Sequence, residues 1–458
     1  MNYSKSFFKK LFILIFCSIF MAQHLYADNS TSENEKIITE TQGSLFTTPD
    51  WLSLHGQFTD VVQYHPGFTA PYAGINSMGG SKSTKTTNDA TLYFGLRILD
   101  GTELFFNPEI DQGYGLTDTV GMAGFPSGEA YKIGKGSPYY KVPRYFVRQT
   151  FNLGGETAKI EDDINQTAGN LSADNLIVTL GKFSVVDIFD TNIYAHDPKS
   201  DFLNWSILEG GAFDYAADSW GYTYGGAAEL TKEWWAARVG VFALSTEPNT
   251  QTLDNGFHQY ETVVELEERH KFFDQAGKFK VLVFANHANM GSYSDAIADM
   301  GNNAPSTASV RRYQTRTGLV LNAEQAINGN IGWFGRMSMN DGSKEAYDFT
   351  DINRSYSTGL VCDGKLWSRP DDKFGVAIVV NQLSSVAQQY FELGGAGILI
   401  GDAAHPGYAS EDVFEAFYSA QIEKHTTVTL DYQFANNPAY NPARGPINIL
   451  GLRFHAEF

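Results

Sequence analysis

Four charged side chains lie at positions from which β-strands could direct them into one shared channel. Arg97 and Arg148 each fall on the polar face of an alternating segment, and Glu103 and Glu109 lie on the segment between them. Charges of both signs facing water offer hydrogen-bond donors and acceptors that a polar solute can exchange for water at small net cost. The same residues could form ion pairs that only stiffen a wall, and the sequence leaves both interpretations open.

Aromatic residues make up 14% of the chain. Tyr131, Trp205 and Tyr215 fall in two long connections, where an aromatic ring could stack on the C–H face of a ring-shaped solute. Trp234 and Trp235 stand beside a short turn, which favours a place in the aromatic girdle of a membrane barrel. We predict that Tyr131, Trp205 and Tyr215 face a lumen instead.

Two motifs resemble enzyme signatures but lack the surroundings that their chemistry needs. Tyr194 to Pro198 has one histidine beside an aspartate and no second histidine at metal-ligand spacing. Gly394 to Pro406 is glycine-rich, but no βαβ unit precedes it as a nucleotide-binding loop requires. We predict no catalytic residue, no metal site and no cofactor.

The elements that must position these residues are strands. Ile447 to Phe458 alternates strictly, with Leu450, Leu452 and Phe454 on one face and the charged residues on the other. Similar segments are predicted at 52–64, 89–99, the return strand after Asp100-Gly101, 144–153, 175–183, 220–230, 233–244, 260–269, 278–287, 312–322, 330–340, 353–367, 373–383, 411–422 and 426–436. Sixteen strands result, with fourteen or eighteen still possible. Asp60 is out of place on an otherwise apolar face.

The amino terminus has the features of an export signal. Residues 1–27 combine basic Lys5, Lys9 and Lys10 with an apolar stretch that is too short to span a bilayer. Residues 28–48 form a polar lead-in, and no later stretch approaches ~20 apolar residues. A chain that enters a membrane without such stretches must close its backbone hydrogen bonds by β pairing. We predict an all-β, transmembrane antiparallel barrel of about sixteen strands over residues 49–458, with long loops folding inward.

Charge and cysteine content narrow the possible functions. The chain carries a formal charge of −19, which argues against nucleic-acid binding. The acidity could keep the loops soluble or could attract cations to a vestibule, and the former is favoured. Cys362 is the single cysteine after residue 27, so no intrachain disulfide is expected in the exported chain.

Two predicted connections are long enough to suggest a function of their own. Residues 111–143 begin where Glu109 and Asp111 leave a polar strand face, and residues 186–220 carry six aspartates among aromatic residues. Since a barrel of about sixteen strands encloses a water-filled channel, inward-folded loops would narrow it. We predict that residues 111–143 set the narrowest section, with 186–220 as the alternative.

These two regions resemble a known family. The runs are FNPEIDQG (106–113), GMAGFPSGEAY (121–131), GKFSVVDIFDTN (181–192), YAHDP (194–198), DFLNW (201–205) and FDYAADSWGYTYG (213–225). They are similar to the carbohydrate-selective porins of the OprB type, and the likeness covers roughly residue 51 to the carboxy-terminus. The resemblance implies a sixteen-stranded outer-membrane barrel that passes small neutral sugars, glucose-type sugars in the best-known members, by passive diffusion.

Several expectations follow for localisation and partners. The barrel would lie in the outer membrane of a Gram-negative cell, in contact with outer-membrane lipid and lipopolysaccharide, as a monomer or homotrimer. The resemblance also implies that the assembly machinery reads Phe458. Two alternatives remain open: a barrel enzyme, and a structural or adhesin barrel with a plugged lumen.

Overall fold

Sixteen antiparallel strands close into one barrel, as the alternating segments predict. The computed structural model describes residues 48–130, 134–349, 351–405 and 407–458. The predicted signal peptide, the lead-in up to residue 47 and Tyr131 lie outside these ranges. The strands are β1 (Leu52–His65), β2 (Ser83–Leu99), β3 (Thr102–Tyr114), β4 (Gly134–Ile160), β5 (Gly169–Phe183), β6 (Thr223–Lys232), β7 (Trp235–Ala243), β8 (Tyr260–Phe272), β9 (Gln275–Met290), β10 (Arg312–Asn328), β11 (Ile331–Asn340), β12 (Arg354–Asp363), β13 (Lys373–Gln382), β14 (Glu411–Glu423), β15 (Thr426–Asn436) and β16 (Ile447–Glu457).

The barrel closes where β16 pairs with β1. The register runs from Gln57 opposite Glu457 to Tyr64 opposite Leu450. Phe458 extends this ladder, since its N–H donates to the Gly56 carbonyl at 2.9 Å and its carbonyl accepts from the Gly56 N–H at 2.8 Å. A Cβ on Gly56 would meet the Phe458 ring at 2.5 Å, so the glycine leaves room for the terminal aromatic ring.

The two faces of the strands separate as period 2 requires. On β16, Leu450, Leu452 and Phe454 are exposed on the outer wall, whereas Arg453 and His455 are buried inside. Asp60 does face outward, and it accepts a hydrogen bond from Asn88 on β2, so its carboxylate is not left alone on the apolar wall. An apolar outer band and a polar interior are typical of membrane barrels.

Short turns and long connections lie at opposite ends of the barrel. The turn end has two-residue links such as Asp100-Gly101, where Gly101 adopts a φ of 71°. The loop end carries the long connections, with three short helices, α1 (Trp205–Leu208), α2 (Tyr293–Asp299) and α3 (Ser385–Glu392). None of the helices in the described ranges is long and apolar enough to cross a membrane. In outer-membrane barrels short turns face the periplasm.

The connection predicted at 111–143 is shorter than expected. β3 continues to Tyr114 and β4 begins at Gly134, so 115–133 alone link the two strands. The register between β3 and β4 shifts here, because Glu109 pairs with Lys141 whereas Asn107 pairs with Arg144. Val142 and Pro143 therefore oppose the single residue Pro108, which is a β-bulge. Because a bulge breaks the period-2 pattern, the first part of β4 has no strand signal in the sequence, and the prediction of a loop there is wrong.

Candidate pore and its charged lining

A long connection fills much of the barrel interior. The inner loop, residues 184–222 between β5 and β6, buries Phe189, Phe202 and Phe213 completely. These rings pack against lumen-facing rings of the wall, such as Phe242 and Phe284. The interior is therefore largely an aromatic core, because the loop brings enough apolar surface inward to exclude water.

Wall glutamates hold the inner loop by its backbone. Each accepts a backbone N–H from the loop, which satisfies donors that would otherwise be buried without a partner. The bonds are Asp190 to Glu265 at 2.8 Å, Ile193 to Glu324 at 2.9 Å, Asn204 to Glu415 at 3.0 Å and Ala216 to Glu261 at 2.8 Å. These carboxylates on β8, β10 and β14 anchor the loop against the far wall of the barrel.

Two wall arginines, on β11 and β16, complete the attachment. Arg336 forms an ion pair with Asp190 at 3.3 Å and donates to the backbone carbonyls of Ile207 and Ala195. Arg453 donates to the carbonyl of Pro198 at 2.6 Å. Wall glutamates thus bind backbone N–H groups of the loop, and wall arginines bind its backbone carbonyls. These bonds fix the loop in place.

A second connection also crosses the interior. The crossing loop, residues 115–130, places the N–H groups of Ala123 and Gly124 on Glu411 of β14, at 2.9 and 2.6 Å. The Pro126 carbonyl accepts from Gln63 and Gln433 at 2.8 Å each. The connection predicted to fold inward does so over these residues.

The two loops leave a cavity of about 550 Å³ along the wall formed by β1 to β5. Two lysines in it are each bracketed by two carboxylates. Lys141 lies 3.1 Å from Glu109 and 3.0 Å from Asp111. Lys199 of the inner loop lies 2.7 Å from Asp89 and 2.6 Å from Glu129. Donors and acceptors thus alternate along one side of the cavity.

Arginines and aromatic rings continue the lining. Arg144 pairs with Asp187 through two bonds of 2.6 and 2.8 Å, and its guanidinium lies over the Tyr222 ring at 4.9 Å. Arg148 lies over the rings of Phe105 and Phe146, at 5.1 and 5.3 Å. A cavity with paired charges of both signs and partly exposed rings can bind a solute rich in hydroxyl groups.

Comparisons with known proteins identify the type of channel. The model of the carbohydrate-selective porin family, OprB, matches residues 76–458. The chain belongs to this family. It is also similar to Porin AaxA of Chlamydia muridarum, at 24% identity over 346 residues, which is 69% of this chain and 61% of that protein. The match to Porin AaxA of Chlamydia pneumoniae is 28% identical over 137 residues, covering 30% of this chain and 27% of that protein.

A solved structure shows the same fold. The high-pH structure of Pseudomonas putida OprB aligns with a TM-score of 0.66 at 15% identity, over 89% of this chain and 94% of that one. The chain spans about three fifths of the length of the first curated relative. Family and fold together place this porin in the outer membrane as a sixteen-stranded barrel, and they indicate a channel rather than an enzyme.

The porin brings together five of the eight residues predicted as pore-lining. Glu109, Asp111, Arg148, Trp205 and Tyr215 line the cavity. Arg97 and Glu103 bind a different segment nearer the turn end, through Thr167. The eighth, Tyr131, lies outside the described residues.

The expected stacking role does not fit the geometry of two rings. Trp205 is sandwiched between Phe125 at 5.1 Å and Phe349 at 4.8 Å, both nearly parallel to it. Tyr215 packs on Phe349 at 4.0 Å. Because the faces of Trp205 are already covered, it presents only an edge to the cavity. Trp220 and Tyr222 of the same loop, which were not chosen from the sequence, also line the cavity.

Sequence reasoning missed both bracketed lysines. Lys141 was assigned to a loop because of the bulge at Val142 and Pro143, and Lys199 is a loop residue with no periodic signal. A search for lysines near acidic residues could not have distinguished these two from the other lysines, since acidic residues are frequent throughout this chain.

The motif Tyr194 to Pro198 holds a titratable pair. His196 Nδ1 lies 3.1 Å from Glu209 Oε1 at the cavity. Burial lowers the pKa of His196, whereas the carboxylates of Glu209 and Asp197 raise it, and the pKa lies above its usual value. Burial raises the pKa of Glu209 to about 7. Among the described residues no group of side chains is suited to hold a metal ion.

This pair predicts a pH-dependent ion preference. As the pH rises through about 7, Glu209 loses its proton, and this change makes the cavity more negative. The permeability of K⁺ relative to Cl⁻, measured from reversal potentials in a KCl gradient, should therefore increase. The double variant His196→Gln, Glu209→Gln should flatten this rise, and an unchanged slope would show that other groups cause it.

Proposed function

We propose that this porin admits small neutral, glucose-type sugars by passive diffusion, without catalysis, cofactor or energy coupling. The observation that supports the proposal is the pair of lysines bracketed by Glu109, Asp111, Asp89 and Glu129. Each group offers a strong hydrogen bond to a hydroxyl, and each carboxylate lies within 3.1 Å of an ammonium group that offsets part of its charge. A neutral solute thus finds donors and acceptors without having to neutralise a large net field.

The size of the cavity supports a solute of sugar dimensions. Its volume of about 550 Å³ lies within the ~300–1,000 Å³ typical of small-molecule sites. The partly exposed rings of Trp220 and Tyr222 lie beside the charges, where they could contact the apolar face of a pyranose. A ring of that kind would keep a hydroxylated solute oriented as it exchanges water for protein groups.

Glucose titration of single-channel currents in planar bilayers tests the proposal. Glucose should reduce the ion current of the wild type, and Lys141→Met should weaken this block by about tenfold, because a hydrogen bond to a charged group contributes ~1.5–3 kcal/mol and ~1.4 kcal/mol is a factor of ten. Lys141→Arg keeps charge and donors and should retain most of the block. Lys365→Met, exposed at the turn end, is the matched control.

Two other results would change the assignment. An open channel whose current glucose does not affect would leave a porin for another solute. Insertion without any conductance would favour a plugged structural or adhesin barrel. The aromatic core inside the barrel is the observation that supports this alternative. Lipase, protease or glycosidase activity of the purified protein would favour a barrel enzyme.

We also propose the surroundings that a porin of this kind requires. The exposed apolar outer wall would contact outer-membrane lipid and lipopolysaccharide, in a monomer or homotrimer. The assembly machinery would read Phe458, whose ring lies over Gly56 at the closing seam. Removing Phe458 should then lower the amount of barrel in the outer membrane, and unchanged levels would refute that role.

A further inference from the structure

The hairpin between β4 and β5 continues beyond the barrel wall. β4 is 27 residues long, and its residues 151–159 are exposed on both faces. The ladder with β5 is irregular at Asn152, Gly154 and Thr157. Gly154 and Gly155 have φ values of 131° and 83°, which glycine adopts without strain. The exit ribbon, residues 151–175, therefore leaves the wall at a glycine pair.

The tip of the ribbon, residues 161–168, returns into the turn end of the barrel. Arg97 Nη2 donates to Thr167 Oγ1 at 2.7 Å, and Arg148 Nη1 donates to the Asn165 carbonyl at 2.7 Å. Further contacts come from the inner faces of β1 and β3: Ser53 Oγ to the Asp163 carbonyl at 3.2 Å, His55 Nε2 to Asp162 at 3.3 Å, Asn107 Nδ2 to Asn165 Oδ1 at 2.9 Å, and Glu103 to Thr167. The tip thus lies inside the mouth, against β1 to β4.

The same tip forms the floor of the cavity. Ile164, Asn165 and Gln166 line it together with the bracketed lysine Lys141. A solute that passes the lysines toward the turn end meets these residues next. The tip therefore stands between the cavity and the turn-end exit.

The ribbon tip is attached in a different way from the inner loop. The inner loop buries phenylalanine rings completely, whereas hydrogen bonds and one His–Asp pair attach the tip. Such bonds can be exchanged for bonds to water at small net cost, but buried rings cannot leave without exposing apolar surface. The tip is thus the part of the described interior that can detach most easily.

We propose that the exit ribbon is a lid on the turn-end exit of the cavity, hinged at Gly154 and Gly155 and held closed by Arg97, Glu103 and Arg148. This gives a role to the two predicted residues that do not line the cavity. The lid acts on any solute and on ions, so the proposal depends on the channel and not on the identity of the sugar.

Single-channel recordings without sugar test the lid. The wild type should spend most of the recording in long closures, because the hydrogen bonds of the tip hold the lid closed. Replacing residues 153–174 by an Asn-Gly turn, which joins the paired residues Asn152 and Asn175, should abolish them and raise the mean current several-fold. Heat-modifiable migration on detergent gels reports whether the shortened barrel has folded.

A point variant keeps the test decisive if the shortened chain fails to fold. Arg97→Ala should shorten the closures several-fold and leave the fully open current unchanged, since it releases the lid without altering the cavity. Arg369→Ala, half-exposed at the turn end in the connection after β12, is the matched control. Closures that Arg97→Ala does not alter, or a current that rises in the shortened barrel with closures unchanged, would overturn the lid and leave a fixed wall. Glucose block is recorded separately and does not decide this result.

Discussion

Replacing residues 187–219 of the inner loop by a short Gly-Ser linker should increase the single-channel conductance several-fold and abolish discrimination between glucose and oligosaccharides. The loop occupies the side of the barrel lined by β8, β10 and β14, and its aromatic residues exclude water there. An emptied barrel of sixteen strands leaves an aqueous channel. Single-channel recording with sugars of increasing length measures both effects.

A deletion elsewhere at the loop end provides the control. Removing residues 299–304, an exposed stretch at the end of α2, should leave the conductance unchanged. If the folded inner-loop variant conducts like the wild type, the inner loop lies outside the solute path. The crossing loop would then be the better candidate for the constriction, as the sequence first predicted.

Period 2 made the barrel predictable from the sequence. Each strand must present an apolar face to lipid, so segments such as 447–458 and 426–436 are visible without any tertiary information. The same alternation placed Glu109, Asp111 and Arg148 on inner faces, and they line the cavity. These residues were predictable because their environment depends on strand geometry alone.

Roles inside the lumen were less predictable, because they depend on what the loops bring to the wall. Glu109 and Glu415 both lie on polar strand faces, but one contacts a lysine in the cavity and the other binds backbone N–H groups of the inner loop. A strand pattern cannot separate a lining carboxylate from an anchoring one. Trp205 shows the same limit, since its sandwich partner Phe349 comes from a connection more than a hundred residues away.

Arg316→Met should release the inner loop. The Arg316 side chain is fully buried, and its Nη1 lies 2.5 Å from Asp214 Oδ2 of that loop. Removing one partner of a buried ion pair costs ~3–5 kcal/mol, because the remaining charge is left uncompensated. We expect faster protease cleavage within residues 184–222 and a conductance above that of the wild type.

Two further variants separate the buried charge from a general loss of packing. Asp214 also accepts N–H bonds from Tyr347, Asp348 and Phe349, so its carboxylate stays in place when the arginine is gone. Adding Asp214→Asn to Arg316→Met removes the uncompensated charge and should restore part of the protease resistance. Arg312 lies on the same strand as Arg316 and forms an exposed ion pair with Asp295. Arg312→Met, which breaks that pair, should change the rate of protease cleavage little. If the double variant is as protease-sensitive as Arg316→Met, packing rather than charge holds the loop.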